Sequence, residues 1–437
     1  MKKSLLGLLM LPVLLASCSL FGGGEDDPEN DPNSAEGSKK LSIRFHVDEQ
    51  STEAKGYKKI IDAFNADHAA EGIKATATFL ARTGSTDAYN SQLSRDKKDG
   101  TLPDIITFDA PNCAAYAAKG YLYDISDALT AAEKAKFITL NTYQGKLYGI
   151  PIQESSAGFY YNKALFAQAG INVDGITAEN PWTFDQFKAV CAQLKAVCGN
   201  GKAVDMRLDA TQDETATYLL YPFIYAAGGS FVDSSGLNAT GYFDSQASIN
   251  GFQFLRDLVD SQYTGYGIGA TDFFTGKVGM YLSSGWTIPD LDNKYKAVFG
   301  DHDRNKWGIL PYPKLVTAAS ATGSWSYAIT NNKRNDKTLV VELLKYVTNG
   351  VSSKTITDHT GMIPANKDAE VNYAAGSPEY VLRKQLEVSG KERPATVGYP
   401  EFTKAFGQVI SELRSGDVAT IVGNKARMLQ GDLDLLK

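Results

Sequence analysis

Two tryptophans stand where the chain turns. Trp286 follows a strand-like Met280–Leu282 and the small-residue turn Ser283-Ser284-Gly285, and Trp325 sits in Gly323-Ser324-Trp325-Ser326 after a loop. Tyr399, beside Pro400, adds a third loop aromatic, and Tyr218 and Tyr221 precede Gly228-Gly229. Polar groups fall at comparable places: Asp109 and Asn112 close a short apolar strand, while Gln50 and Arg82 follow two earlier strands. Flat rings that cover C–H faces, with acids, amides and a guanidinium around them, can hold a polyhydroxylated molecule without reacting with it. Each position also has a packing alternative, core for the rings and solvated surface for the polar groups. Signs of catalysis are missing: there is no G-x-S-x-G elbow, no H-E-x-x-H and no P-loop. His46, His68, His302 and His359 lack metal-ligand spacing. Asp301-x-Asp303-x-Asn305 hints at a calcium loop, but Lys306 takes the glycine position and Tyr312 the final glutamate position, so a solvated acidic turn is expected. Neither a cofactor nor a metal is expected.

The elements that must position these residues read as an α/β unit. Leu41–Val47 alternates apolar and polar side chains, Tyr57, Ile60, Ile61 and Phe64 form one helical stripe, and Ile73–Phe79 alternates again. A helix from about Thr86 to Lys97 and an apolar strand over Pro103–Phe108 follow. Strands joined by helical crossovers make a parallel sheet, whose ligands bind beyond the carboxyl ends of the strands. His46–Ser51, Leu80–Ser85 and Phe108–Asn112 are thereby expected on a binding edge. Further along, Thr183-Phe-Asp-Gln186 has capping-box spacing, with Gly199 as the expected stop of its helix, and Ile249–Val259 carries another helical stripe.

The chain of 437 residues has a net charge of −6, which becomes −8 without its first seventeen residues, and this argues against a nucleic-acid partner. Lys2 and Lys3 precede an apolar run from Leu5 to Ala16, too short for a bilayer core of ~30 Å. Leu15-Ala16-Ser17-Cys18 resembles the lipobox of bacterial lipoproteins, which implies a signal peptide over 1–17 and a diacylglycerol on Cys18. Residues 18–40 then read as a disordered tether reaching ~25 Å. Cys113, Cys191 and Cys198 are odd in number, and the last two lie too far apart along one expected helix to bridge, so buried free thiols are expected.

Six segments in order resemble the extracellular solute-binding proteins typified by maltodextrin-binding protein. They are Pro103-Asp-Ile-Ile-Thr-Phe-Asp109 with Tyr116 and Gly120-Tyr-Leu122; Gly145–Pro151 leading to Tyr160-Tyr-Asn-Lys163 and Leu165-Phe166; Pro181–Phe187; Phe274-x-x-Gly-Lys277 with Met280 and Gly285-Trp286; Trp307–Pro311; and Gly361–Ala365. The resemblance implies a two-lobe periplasmic-binding-protein-like fold (type II, α/β) with a central ligand cleft and three hinge crossings. Lobe 1 would take 41–153 and 312–350, and lobe 2 would take 154–311 and 351–437. The crossings would fall near Gln153–Ser155, Leu310–Pro313 and Asn349–Ser353. By the same resemblance Trp286 is the stacking ring, Glu154 a cleft carboxylate with Ser155 beside it, and Tyr218 a cleft aromatic. The family's acidic and basic pair after the third strand is replaced here by Pro111 and Asn112, so specificity for maltodextrin does not carry over.

The implied function is capture of a sugar or oligosaccharide by a monomeric, non-enzymatic protein. It would be lipid-anchored outside the cytoplasmic membrane and would deliver to the transmembrane permease subunits of an ABC importer. Alternatives are the same fold with a glycerophosphodiester, polyamine or ferric ion, a glycoside-active enzyme, which needs only two carboxylates, and a surface adhesin.

Overall fold

A computed structural model describes residues 39–437 apart from 83–86, 212–213 and 301–302. Cys18, the leader and most of the tether lie outside the described residues, as do Asp301 and His302.

The opening α/β unit forms as its periodicity dictates. Strands β1 (Lys40–His46), β2 (Lys74–Leu80) and β3 (Ile105–Asp109) pair in parallel with β1 in the middle. The helix Thr52–Asp67 starts where Ser51 caps the amide of Ala54 at 3.0 Å, and it buries Tyr57, Ile60, Ile61 and Phe64. The helix Asp87–Asp99 completes the second crossover. After the short β4 (Asn141–Tyr143) comes β5 (Lys146–Asn162), seventeen residues buried almost throughout. Next in the chain are β6 (Val204–Asp205), β7 (Met280–Ser284), β8 (Trp307–Leu310) and β9 (Ser320–Ile329), then the two-residue β10 (Ile363–Pro364) and β11 (Gly390–Lys391).

Among the described residues these strands join one sheet with the main order β2-β1-β3-β9-β5-β7-β6. β5 and β9 run through it. The first part of β5 pairs antiparallel with β9 and its last part with β7 and β8. β9 in turn pairs with β3 through Trp325–Ile329 and with β11 through Ser320 and Ala321. A strand committed to two sets of partners ties two cores together. One core gathers Ile43, Phe45, Tyr57, Ile105, Tyr327 and Ile356. The other gathers Phe159, Phe187, Phe223, Phe254, Tyr312 and Phe402.

Two local expectations need correction. The helix Phe184–Lys195 has the full capping box between Thr183 and Gln186, but it ends at Lys195, before Gly199. The chain turns there because Cys198 packs inward and the amide of Asn200 bonds the carbonyl of Lys277. Cys198 thus lies beyond the helix that carries Cys191, and both thiols, like Cys113, are free and buried. The strand β7 also runs through the segment read as a turn, reaching Ser284 before a short 3₁₀ turn at Gly285–Thr287. The hydroxyl of Ser284 donates to the carbonyl of Ser156 on β5 at 2.6 Å, which fixes the base from which Trp286 projects.

Candidate functional site

A cavity of about 820 Å³ opens between the two cores. That volume lies toward the upper end for a small-molecule site, roughly 300–1,000 Å³. Eight of the ten expected binding residues line it: Gln50, Arg82, Asp109, Asn112, Ser155, Tyr218, Trp286 and Trp325. The carboxyl ends of β1, β2 and β3 supply His46, Arg82 and Asp109, which is the edge where an open parallel sheet presents its loops.

Two indole faces come from opposite sides. Trp325 on β9 packs against the first core, and the Arg82 guanidinium lies 3.7 Å from its ring centroid. Arg82 is held by both oxygens of Glu53, at 2.8 and 3.1 Å, and by the carbonyl of His46 at 2.6 Å. His46 stacks on Tyr89 at 4.0 Å and meets Trp325 edge-on at 5.3 Å. Burial, and then the Arg82 charge, pull its pKa down to about 3, so the imidazole is neutral at physiological pH and can serve as either donor or acceptor. Trp286 stands on the other side, 41% exposed, tilted against Tyr218 with centroids 5.6 Å apart. The hydroxyls of Tyr218 and Ser155 bond at 2.7 Å, and Ser155 donates to the carbonyl of Gly323.

Glu154 and Tyr399 are not brought to this wall. Side chains alternate along a strand, so Gln153 and Ser155 face the cavity and Glu154 faces away, toward a separate space of about 160 Å³. Its carboxylate accepts from the Thr139 hydroxyl, and burial raises its pKa to about 7 against an ordinary 4.5. Between those values the folded chain holds a proton that the unfolded chain has lost. The associated stability is full below pH 4.5 and is lost as pH rises through 7. Glu154→Gln should therefore gain on the wild type with increasing pH, reaching about 3 kcal/mol at pH 8. Urea denaturation of both proteins from pH 5 to 8 checks this, and a difference that does not change with pH would refute it.

Tyr399 starts the helix Tyr399–Glu412 and is buried behind the cavity. It belongs to a charge cluster the sequence did not reveal. Arg393 forks onto both oxygens of Asp109, at 2.7 Å each, and reaches Glu214 at 2.8 Å. The Tyr399 hydroxyl donates to Glu214 and accepts from Arg393 at 3.3 Å, and Thr403 donates to the other Glu214 oxygen at 2.8 Å. Burial opposes the Arg393 charge, yet Asp109, Tyr399 and Glu214 together hold its pKa well above the ordinary range. Burial raises the Glu214 carboxyl, with Arg393 pulling the other way. Asp109, Glu214 and Arg393 all border the cavity. Among the described residues no cluster of His, Cys, Asp and Glu could hold a metal ion, and no helix is long and apolar enough to cross a membrane.

The sequence profile of the bacterial extracellular solute-binding proteins matches residues 59–380. The chain belongs to that family. A lactose-binding protein of Rhizobium radiobacter is 25% identical over 239 residues, covering 52% of this chain and 53% of its own. The cyclic α-maltosyl-1,6-maltose binding protein of Arthrobacter globiformis superposes with a TM-score of 0.72 at 20% identity, covering 90% of this chain and 99% of that one. UgpB of Mycobacterium tuberculosis, solved with glycerophosphocholine, gives a TM-score of 0.74 at 20% identity over 92% and 100%. The two-lobe periplasmic-binding-protein fold is thus established, and with the family come an extracytoplasmic setting and solute binding.

Proposed function

We propose that this protein is the substrate-binding component of an ABC importer and captures a neutral saccharide between its two lobes. The observation that carries the reading is the pair of indoles, Trp325 and Trp286, contributed from opposite sides of one cavity and interleaved with hydroxyl, amide and carboxylate groups. A pyranose offers C–H faces to the rings and hydroxyls to Gln50, Asp109, Asn112 and Ser155. The lactose-binding relative and the maltosyl-maltose binding neighbour support this ligand class. Closure over the solute would be a hinge motion, with the closed form favoured by contacts from both walls.

Core membership supports lobes made of 41–153 with 323–366, and of 154–322 with 367–437. Tyr327 and Ile356 pack with Ile43, while Leu310 and Tyr312 pack with Phe159. On this reading the second crossing would fall within β9 and the third near β10, whose Ile363 packs with Tyr160.

A thermal-shift screen of the protein against mono- and oligosaccharides, glycerophosphodiesters and polyamines tests the ligand class. A solute at a hundredfold excess over Kd adds about 2.7 kcal/mol. A shift with a saccharide supports the reading. A shift with glycerophosphocholine alone would move the assignment to phosphodiesters, for which Arg82 and Lys294, both lining the cavity and partly or well exposed, are the available cations.

The lipobox-like Leu15–Cys18 supports anchoring through Cys18, with the protein as a monomer on a tether beside its permease. Cys18→Ala should move the protein from the membrane pellet to the soluble fraction and abolish metabolic labelling with a fatty acid. Unchanged labelling would contradict the anchor.

A further inference from the structure

The carboxylates that meet on Arg393 do not come from the same lobe. Asp109 ends β3, whose Ile105 lies in the first core. Glu214 opens the helix Glu214–Ala226, whose Leu219 and Phe223 lie in the second. Arg393 follows β11, which is tied to the second lobe where the Lys391 carbonyl accepts from Tyr221. Its side chain is 3% exposed, against 12% and 17% for its two partners. Among the described residues Nε has no hydrogen-bond partner, so the guanidinium is satisfied through its two terminal nitrogens alone.

We propose that Arg393 is a positioning residue that latches the cleft, joining Asp109 on one lobe to Glu214 on the other so that the closed arrangement is favoured before any solute enters. The idea rests on the two-lobe capture reading for its purpose, but not on the identity of the solute. Hinge opening separates Asp109 from Arg393 and leaves a guanidinium built for bidentate pairing with one carboxylate partner fewer. Closed protein then predominates without ligand, and solute selects from a population already formed. The latch also explains why the cleft floor suits a neutral ligand. Its one deeply buried cation is already matched by two carboxylates, which keep lone pairs free for hydroxyl donors.

The test needs no solute, so its failure is distinct from failure of the saccharide reading. Spin labels would be placed in the full-length chain at Lys98→Cys, on the helix Asp87–Asp99, and Lys404→Cys, on the helix Tyr399–Glu412, both exposed positions. The thiols of Cys113, Cys191 and Cys198 are buried, and Cys18 carries lipid in the reading above. Pulsed electron–electron distance measurement should give a short, narrow distribution with Arg393 present. Arg393→Met should shift it to longer distance and broaden it. Arg393→Lys, which keeps the charge but not the fork, should fall between the two. Asp109→Asn leaves Arg393 with Glu214 and should open the cleft in the same direction, which keeps the test informative if Arg393→Met does not fold. A wild-type distribution in Asp109→Asn, or in a folded Arg393→Met, overturns the latch.

Discussion

Replacing Trp286 with alanine is expected to weaken saccharide binding by about 2–4 kcal/mol, on the order of 30- to 1,000-fold in Kd. An aromatic ring anchors a binding surface because it brings a large rigid face at little entropic cost, and this one stands at the cavity with 41% of its surface still open. That same exposure separates binding from folding. Little core contact is lost, so the unfolding midpoint should stay within about 0.5 kcal/mol of the wild type. Titration calorimetry of the two proteins with the best saccharide, alongside urea denaturation, reads both quantities. Equal affinities would remove Trp286 from the site. A large fall in stability would make it a packing residue.

The other large effect is on stability. Asp104→Ala should destabilise the protein by about 3–5 kcal/mol, because it takes the carboxylate from the buried guanidinium of Arg334, which keeps its bond to the Lys40 carbonyl but loses its counter-charge. The Arg334 and Asp104 side chains are 6% and 2% exposed, with Nε donating to Oδ1 at 2.8 Å. Asp104 also accepts from the backbone and hydroxyl of Ser42, at 2.9 and 3.2 Å, and from Asn332 at 3.0 Å. One carboxylate thus joins β1, the entry to β3 and the turn after β9. Asp104→Asn, which keeps an acceptor but not the charge, should lose less. Urea midpoints for the three proteins give the ranking, and an Asp104→Ala protein as stable as wild type would refute the account of this ion pair.

The division between what the sequence showed and what it hid follows the range of each interaction. Alternation in Leu41–Val47 and Ile73–Phe79, and the Thr183–Gln186 capping box, are local patterns that dictate local structure, and they formed as read. The parallel-sheet rule then brought His46, Gln50, Arg82, Asp109 and Asn112 to one edge without any knowledge of the second lobe. Glu154 was open to the same reasoning. It neighbours Ser155 on a strand, and only one of the two can face the cleft, so parity should have favoured Gln153 and Ser155 together. Arg393 and Glu214 carried no such signal. They lie 179 positions apart, and the carboxylate of Asp109 is 284 from Arg393, so only the folded tertiary structure makes them neighbours. Tyr399 looked like a loop aromatic because Pro400 follows it, yet proline at the first turn of a helix is well tolerated, and the ring turned inward as a hydroxyl donor to Glu214.

The most direct measurement is a crystal structure of the protein with the saccharide that shifts its melting temperature most. A pyranose face against Trp286, a second sugar contact near Trp325, and hydroxyls donating to Asp109 or Glu214 are the predicted result. Saccharide density outside the cavity, or a cavity that admits only a phosphodiester bound through Arg82 or Lys294, would contradict it.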